Sequence, residues 1–278
     1  MNAQNATRGT VEAYLTYTVD TGVKPVTGTT GADGKLRHRS GEFREHVMTI
    51  RDARPRRQAL SLDREGFVLV DHATRVRDFY DTHEIESVYY PEVERLVKEQ
   101  TGAARVLVFD HTLRTGDEAT RVEKSLREPV KVVHNDYTEW SGPQRVRDLL
   151  PAAEAEALLE HRMAVVQVWR PIRDPVLSSP LAICDARSVR PGDLIAAERH
   201  HENRVGEIYQ LAFNPAHRWY WFPEMQRNEA LMFKCYDSQK DGRARFTAHG
   251  SFDDPATPAD APVRESIEVR TLAFWGSA

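Results

Sequence analysis

The chain has 278 residues, 40% of them hydrophobic and 29% charged, and a formal net charge of -4. This length and apolar content suit one large domain or two small ones, and the charge balance lacks the basic excess of a nucleic-acid-binding protein. No apolar run is long enough to cross a bilayer, the opening MNAQNATRGT lacks a secretory apolar region, and the only two cysteines, Cys184 and Cys235, make neither a disulfide framework nor a zinc spacing, so a cytoplasmic protein is expected.

In chain order, VEAYLTYTV (11–19) alternates apolar and polar residues and reads as a strand. The Gly- and Thr-rich stretch 20–43 reads as a mobile loop. EHVMTIRDAR and GFVLVDH read as further strands, with the basic ARPRRQ (53–58) between them as a solvated turn. Residues 81–102 read as a helix, capped by Asp81 or Thr82, ended by Gly102, and broken or restarted at Pro91. ARVLVFDHTLR (104–114) is a buried strand, and a polar excursion follows it. After KVVHNDYTEW (131–140) come two short helices, within residues 141–162.

From there strand signals dominate: AVVQVWRPI, PLAICDAR, DLIAAERH, EIYQLAF, RWYWFP, EALMFKCYD, RARFTAHGSF and SIEVRTLAF, parted by turn residues. Short strands in such density point to a sandwich, jelly roll or barrel. The expected fold is mainly β, a jelly-roll core at 131–278 decorated by α/β elements at 11–130, and the expected organisation is a single domain over 1–278.

The stretch KVVHNDYTEW carries the first chemical signal. His134 and Asp136 are two apart, so on a strand they share a face and can converge on one point. Either they are metal ligands or this is a polar strand end, where Asn-Asp is common. Of the 11 histidines, His249 is the best third member, because RARFTAHGSF is a strand-like run ending at His249-Gly250. Further on, Arg264, Ser266, Glu268 and Arg270 share one strand face. Such alternation marks either a solvent face or, for Arg264 and Ser266, a donor set for a buried carboxylate.

Taken together, His134-x-Asp136, His249 and Arg264-x-Ser266 make a facial set of two imidazoles and one carboxylate. That set leaves about three positions of an octahedral iron open, enough for a bidentate 2-oxo acid and O2. Arg264 and Ser266 would grip the far carboxylate of that acid. Arg170, Tyr209 and Tyr220 are candidates to face the substrate, Trp169 is expected in the core, and Arg270 or Arg170 stands next in line as the clamp.

The stretches SLDREGFVLV, HNDYT, VWRP, SPLAICD, WYWFPEMQRNEALMFKCYDS, AHGSFDDP and RESIEVR resemble the non-haem iron, 2-oxoglutarate-dependent hydroxylase/desaturase family of the AsaB and CmcJ/NvfI type, known from secondary-metabolite pathways. The resemblance runs from about residue 11 to residue 275. It implies a distorted double-stranded β-helix, Fe(II) on His134, Asp136 and His249, and 2-oxoglutarate on Arg264 and Ser266, with O2 as the second co-substrate. It also implies hydroxylation, desaturation or cyclisation of a small natural product. Two other readings stay open at this point. One is an accessory partner of a tailoring methyltransferase; the other is a cupin-like metal-dependent hydrolase or isomerase.

Overall fold

The computed structural model describes residues 9–29, 36–124, 126–200 and 204–276. Two sheets form the body. The larger is mixed and runs, strand by neighbouring strand, Thr10–Val19, Glu42–Asp52, Trp219–Trp221, Leu181–Cys184, His249–Ser251, His134–Asn135, Val205–Leu211, Leu194–His200, Val26–Thr29 and Leu36–Arg39. The smaller is wholly antiparallel: Phe67–Asp71, Glu229–Asp237, Met163–Pro171, Glu265–Phe274 and Arg105–Thr115. All eight strands expected in the C-terminal half are present among the described residues.

The central strands of the small sheet are apolar on both faces because both faces are covered. Met163, Val165 and Trp169 point with Leu231, Phe233, Leu272 and Phe274 into the space between the sheets. Their neighbours Ala164, Val166 and Val168 point the other way with Ile267 and Val269, against Val93 and Val97 of the helix Tyr90–Thr101. Period-2 alternation thus sorts one run of sequence into two cores. A third core forms where the large sheet rolls up. Thr16 bridges Val132, and the Val133 N–H donates to the Thr16 carbonyl at 3.0 Å, enclosing Leu15, Tyr17, Ile50, Val133, Trp219 and Trp221.

Three local outcomes differ from the sequence reading. Within 20–43, Val26–Thr29 and Leu36–Arg39 form a ribbon, and Val26–Thr29 pairs in parallel with Leu194–His200 (residues 30–35 lie outside the described residues). Strand-favouring Val26, Thr27 and Thr29 outweigh the surrounding glycines once a neighbouring edge is offered. Pro91 does not break its helix, because the turn Ile85–Tyr89 just before it is π-helical, with the Tyr90 N–H on the Ile85 carbonyl. The wider turn relieves the clash and the missing donor that proline brings. Finally, the strand near His249 begins there rather than ending there. Upstream, Arg245 Nε donates to the Asp237 carbonyl at 2.6 Å and the Thr247 N–H to Asn135 Oδ1 at 3.0 Å, so side chains replace ladder bonds.

Residues 11–130 are woven into the body, since Phe67–Asp71 and Arg105–Thr115 are the two edges of the small sheet. Gly66 secures the approach to His249. Its φ is +94°, and a Cβ there would stand 2.2 Å from Thr247 Oγ1. Gly66→Ala is therefore expected to cost about 2–3 kcal/mol, read as a lowered denaturation midpoint. Gly102→Ala, also at positive φ but with open space around it, serves as the backbone-only control and should cost less.

Candidate metal centre

Strand register lines up the site. Across the large sheet Tyr220 lies opposite Ile183, Ile183 opposite His249, His249 opposite His134, and His134 opposite Gln210. Residues directly opposite share a face, so both imidazoles look into the space between the sheets.

Each imidazole is oriented by its own chain. His134 Nδ1 donates to the Val132 carbonyl at 2.7 Å, and His249 Nδ1 to the Thr247 carbonyl at 3.1 Å. A carbonyl only accepts, so both protons sit on Nδ1 and both Nε2 lone pairs are free for a metal. The ring centres are 4.6 Å apart, and the Phe233 ring centre also lies 4.6 Å from that of His249. Burial, with His134 nearby, pushes the His249 pKa down to about 4, which keeps the imidazole in its ligating neutral form.

Asp136 completes the set: Oδ1 is 3.4 Å from His134 Nε2, and the ligand atoms of His134, Asp136 and His249 all lie within 4.8 Å of one another. Burial alone would raise the Asp136 pKa, but Arg270, His134 and His249 together hold it well below the usual carboxylate range. Arg270 Nε donates to the other oxygen, Oδ2, at 3.1 Å, while the rest of the guanidinium holds Asp110 at 3.0 Å, Thr112 at 3.2 Å and also Glu268. Arg270 is therefore fully bonded, with its Nε orienting Asp136. Arg270→Ala is expected to weaken metal binding about 10–100-fold, measured by anaerobic Fe(II) titration, with Arg270→Lys recovering part of the loss.

Arg264 is the opposite case. It is 3% exposed, its Nη1 donates to the Ser179 carbonyl at 2.6 Å, and its guanidinium lies 5.6 Å from the centre of the Trp169 ring. Among the described residues its buried Nε has no acceptor, and Ser266 Oγ, also buried, has no partner. The acid on this face, Glu268, is taken by Arg114 through bonds of 2.8 and 3.2 Å. Burial, reinforced by Arg114, lowers the Arg264 pKa to about 9. A buried cation beside an unpaired hydroxyl costs free energy unless an anion completes it. These two side chains fit the far carboxylate of a 2-oxo acid, and the neutral imidazoles with an ionised carboxylate fit iron.

The other sequence candidates are placed less centrally. Arg170 lies on the opposite face of its strand, bonded to the His72 ring and, at 3.0 Å, its carbonyl, and 5.0 Å from the centre of the Tyr89 ring; it does not face the triad. Its neighbour Trp169, expected as core, belongs to the core between the sheets and also borders Arg264. Tyr220 is in the same sheet row as the histidines but two strands from His249, with its hydroxyl accepting from Arg56 at 2.9 Å. Tyr209 is partly buried against Phe246, ring centres 5.1 Å apart, and its hydroxyl accepts from the Glu139 N–H at 3.4 Å.

Gln167 was not anticipated. It is fully buried, opposite Arg270 on one neighbouring strand and Phe233 on the other, with Oε1 accepting from Cys235 Sγ at 3.3 Å and Nε2 without a partner among the described residues. The signal was a lone amide inside AVVQVW.

Comparison with known proteins agrees with this geometry. Residues 13–274 match the family described as Oxidoreductase/YMDC permease-like domain. The hydroxylase/desaturase efuI of Hormonema carpetanum is 31% identical, over 98% of this chain and 96% of its own length. The Fe(II)/2-oxoglutarate-dependent dioxygenase nvfI of Aspergillus novofumigatus is 35% identical, over 83% and 84%. A solved structure of the iron and alpha-ketoglutarate-dependent endoperoxidase NvfI superposes with a TM-score of 0.86 at 31% identity, covering 97% of this chain and 99% of that one. The chain belongs to this hydroxylase/desaturase family of Fe(II)- and 2-oxoglutarate-dependent oxygenases.

Proposed function

We propose that His134, Asp136 and His249 hold Fe(II), that Arg264 and Ser266 hold the far carboxylate of 2-oxoglutarate, and that the protein hydroxylates, desaturates or cyclises a small natural product. The observation that carries this reading is the buried Arg264 with a free Nε beside the unpaired Ser266 Oγ, on the strand face that also presents Arg270 to Asp136. An accessory subunit or a cupin-like hydrolase has no use for a buried carboxylate clamp next to its metal ligands.

With iron, 2-oxoglutarate and O2 bound, the site supplies an oxidation strong enough to remove hydrogen from an unactivated carbon. The chain's own task is to bind, orient and keep dry. The Nδ1 bonds aim both imidazoles, Arg270 presents one oxygen of Asp136 and occupies the other, and Phe233 and Trp169 supply apolar walls against His249 and Arg264. Both carboxylates of this face are engaged, Asp136 with Arg270 and Glu268 with Arg114, so neither is free to act as a general base.

The same reading takes residues 1–278 as one oxygenase domain, supported by both sheets drawing strands from 11–130 and from 131–278. Among the described residues no helix is long and apolar enough to cross a membrane. Both cysteines are free and buried, which supports a reducing, cytoplasmic location.

The test is formation of succinate or labelled CO2 from 2-oxoglutarate with Fe(II) and O2. Slow turnover is expected without substrate, and faster turnover when the right natural product fills the pocket and displaces water. Iron bound at one equivalent with no binding or consumption of 2-oxoglutarate would refute the reading.

A further inference from the structure

Four arginines, Arg127, Arg145, Arg199 and Arg204, have no carboxylate bonded to them among the described residues. Arg199 lies opposite Gly206, in alternation with Ala197 opposite Ile208 and Ile195 opposite Gln210; since Gln210 pairs with His134, Arg199 is on the His134 face of the large sheet. Gly206 leaves room above itself, and the Arg204 guanidinium occupies it, with Nη1 3.6 Å from where a Cβ would be. On the other sheet Arg127 bridges beside Arg114, the partner of Glu268. Arg145 of the helix Ser141–Leu149 sits 4.9 Å from the centre of the Phe109 ring, and its buried Nε has no acceptor among the described residues.

Three of the four share neighbours, and the fourth, Arg145, acts on Arg204. The field of Asp136 and Arg270 reaches Arg199, that of Arg270 and Asp110 reaches Arg127, and that of Asp110 and Tyr137 reaches Arg204. The nearby acids are already committed: Asp110 to Arg270, Glu268 to Arg114, Glu128 to Arg121 and Asp148 to Gln144. Burial, with Arg127 next to it, pushes the Arg199 pKa down to about 10, as for a cation short of counter-charge. A chain with a net charge of -4 thus places guanidinium groups that lack a bonded carboxylate, among the described residues, on the His134 face of the large sheet and beside Arg114. Partly desolvated guanidinium forks without a bonded acid are suited to capturing a carboxylate.

We propose that Arg127, Arg145, Arg199 and Arg204 receive an anionic group of the organic substrate, so that the enzyme acts on a carboxylic acid rather than a neutral compound. This rests on the oxygenase reading, with Arg264 reserved for 2-oxoglutarate.

The experiment uses the full chain loaded anaerobically with Fe(II) and 2-oxoglutarate, whose binding is measured first. Calorimetry then follows 1-naphthoate and its methyl ester. The acid is expected to bind saturably, at least about tenfold tighter than the ester, and to lose about tenfold in Arg204→Gln and more in Arg199→Gln/Arg204→Gln; the exposed Arg204 provides a variant whose folding is not at risk. Equal binding of acid and ester, or no saturable binding of the acid, would overturn the proposal. So would a loss of 2-oxoglutarate affinity in the Arg199/Arg204 variants as large as in Arg264→Ala, since the arginines would then serve the co-substrate. Failure of the wild-type protein to bind 2-oxoglutarate at all would instead strike the oxygenase reading.

Discussion

His134→Ala, Asp136→Ala and His249→Ala are each expected to abolish stoichiometric Fe(II) binding and, with it, 2-oxoglutarate turnover. Three ligands on one face leave no redundancy, because the other acid of this face, Glu268, is held by Arg114 and Arg270. The two histidine variants should remain folded, since the Nδ1 bond of each ring goes to a carbonyl two residues earlier in the chain. Asp136→Ala removes one partner of Arg270 but leaves Asp110, Thr112 and Glu268 in place. The check is calorimetric titration alongside thermal unfolding. A metal at about 100 times its Kd should stabilise the wild type by about 2.7 kcal/mol and the variants not at all. Normal iron binding and succinate formation by any one of them would remove that residue from the centre.

The second large effect belongs to Arg264. Arg264→Ala should weaken 2-oxoglutarate binding by about 2–5 kcal/mol, or one and a half to three and a half decades, while iron binding changes little. The same geometry makes a prediction of opposite sign for stability. A buried guanidinium with no acid partner is a cost to the ligand-free fold, so Arg264→Met, which keeps apolar contact with Trp169, should unfold at the same or a higher denaturant concentration than the wild type. Adding 2-oxoglutarate should then stabilise the wild type and leave Arg264→Met unchanged. An unaltered 2-oxoglutarate affinity would pass the clamp to another cation.

Much of this architecture could be read before the structure, because alternation and apolar runs report burial directly. SIEVRTLAF and AVVQVWRPI sit side by side in the small sheet, with Ser266 opposite Pro171 and Ile267 opposite Arg170. That register also shows why Arg170 was hard to place. Period 2 says that Trp169 and Arg170 face opposite ways, but only the neighbouring strand decides which way is the site, and Arg170 falls in line with Ile267, on the helix side. The two arginines of RESIEVR raise a similar problem. They share a face, and their difference lies in what surrounds them: Arg270 meets Asp136, Asp110 and Thr112, brought in from other parts of the chain, whereas Arg264 bonds the Ser179 carbonyl and borders the Trp169 ring. Gln167 is a third example. A lone amide in an apolar strand signals burial with a purpose, but its place opposite Arg270 and Phe233 depends on pairing across a bulged strand.

The most direct test of the central claim is anomalous diffraction at the iron edge, from crystals grown anaerobically with Fe(II) and 2-oxoglutarate. One peak is expected, shared by His134 Nε2, His249 Nε2 and a carboxylate oxygen of Asp136, with the far carboxylate of 2-oxoglutarate against Arg264 and Ser266. A fully occupied iron elsewhere, or 2-oxoglutarate bound away from Arg264, would contradict it.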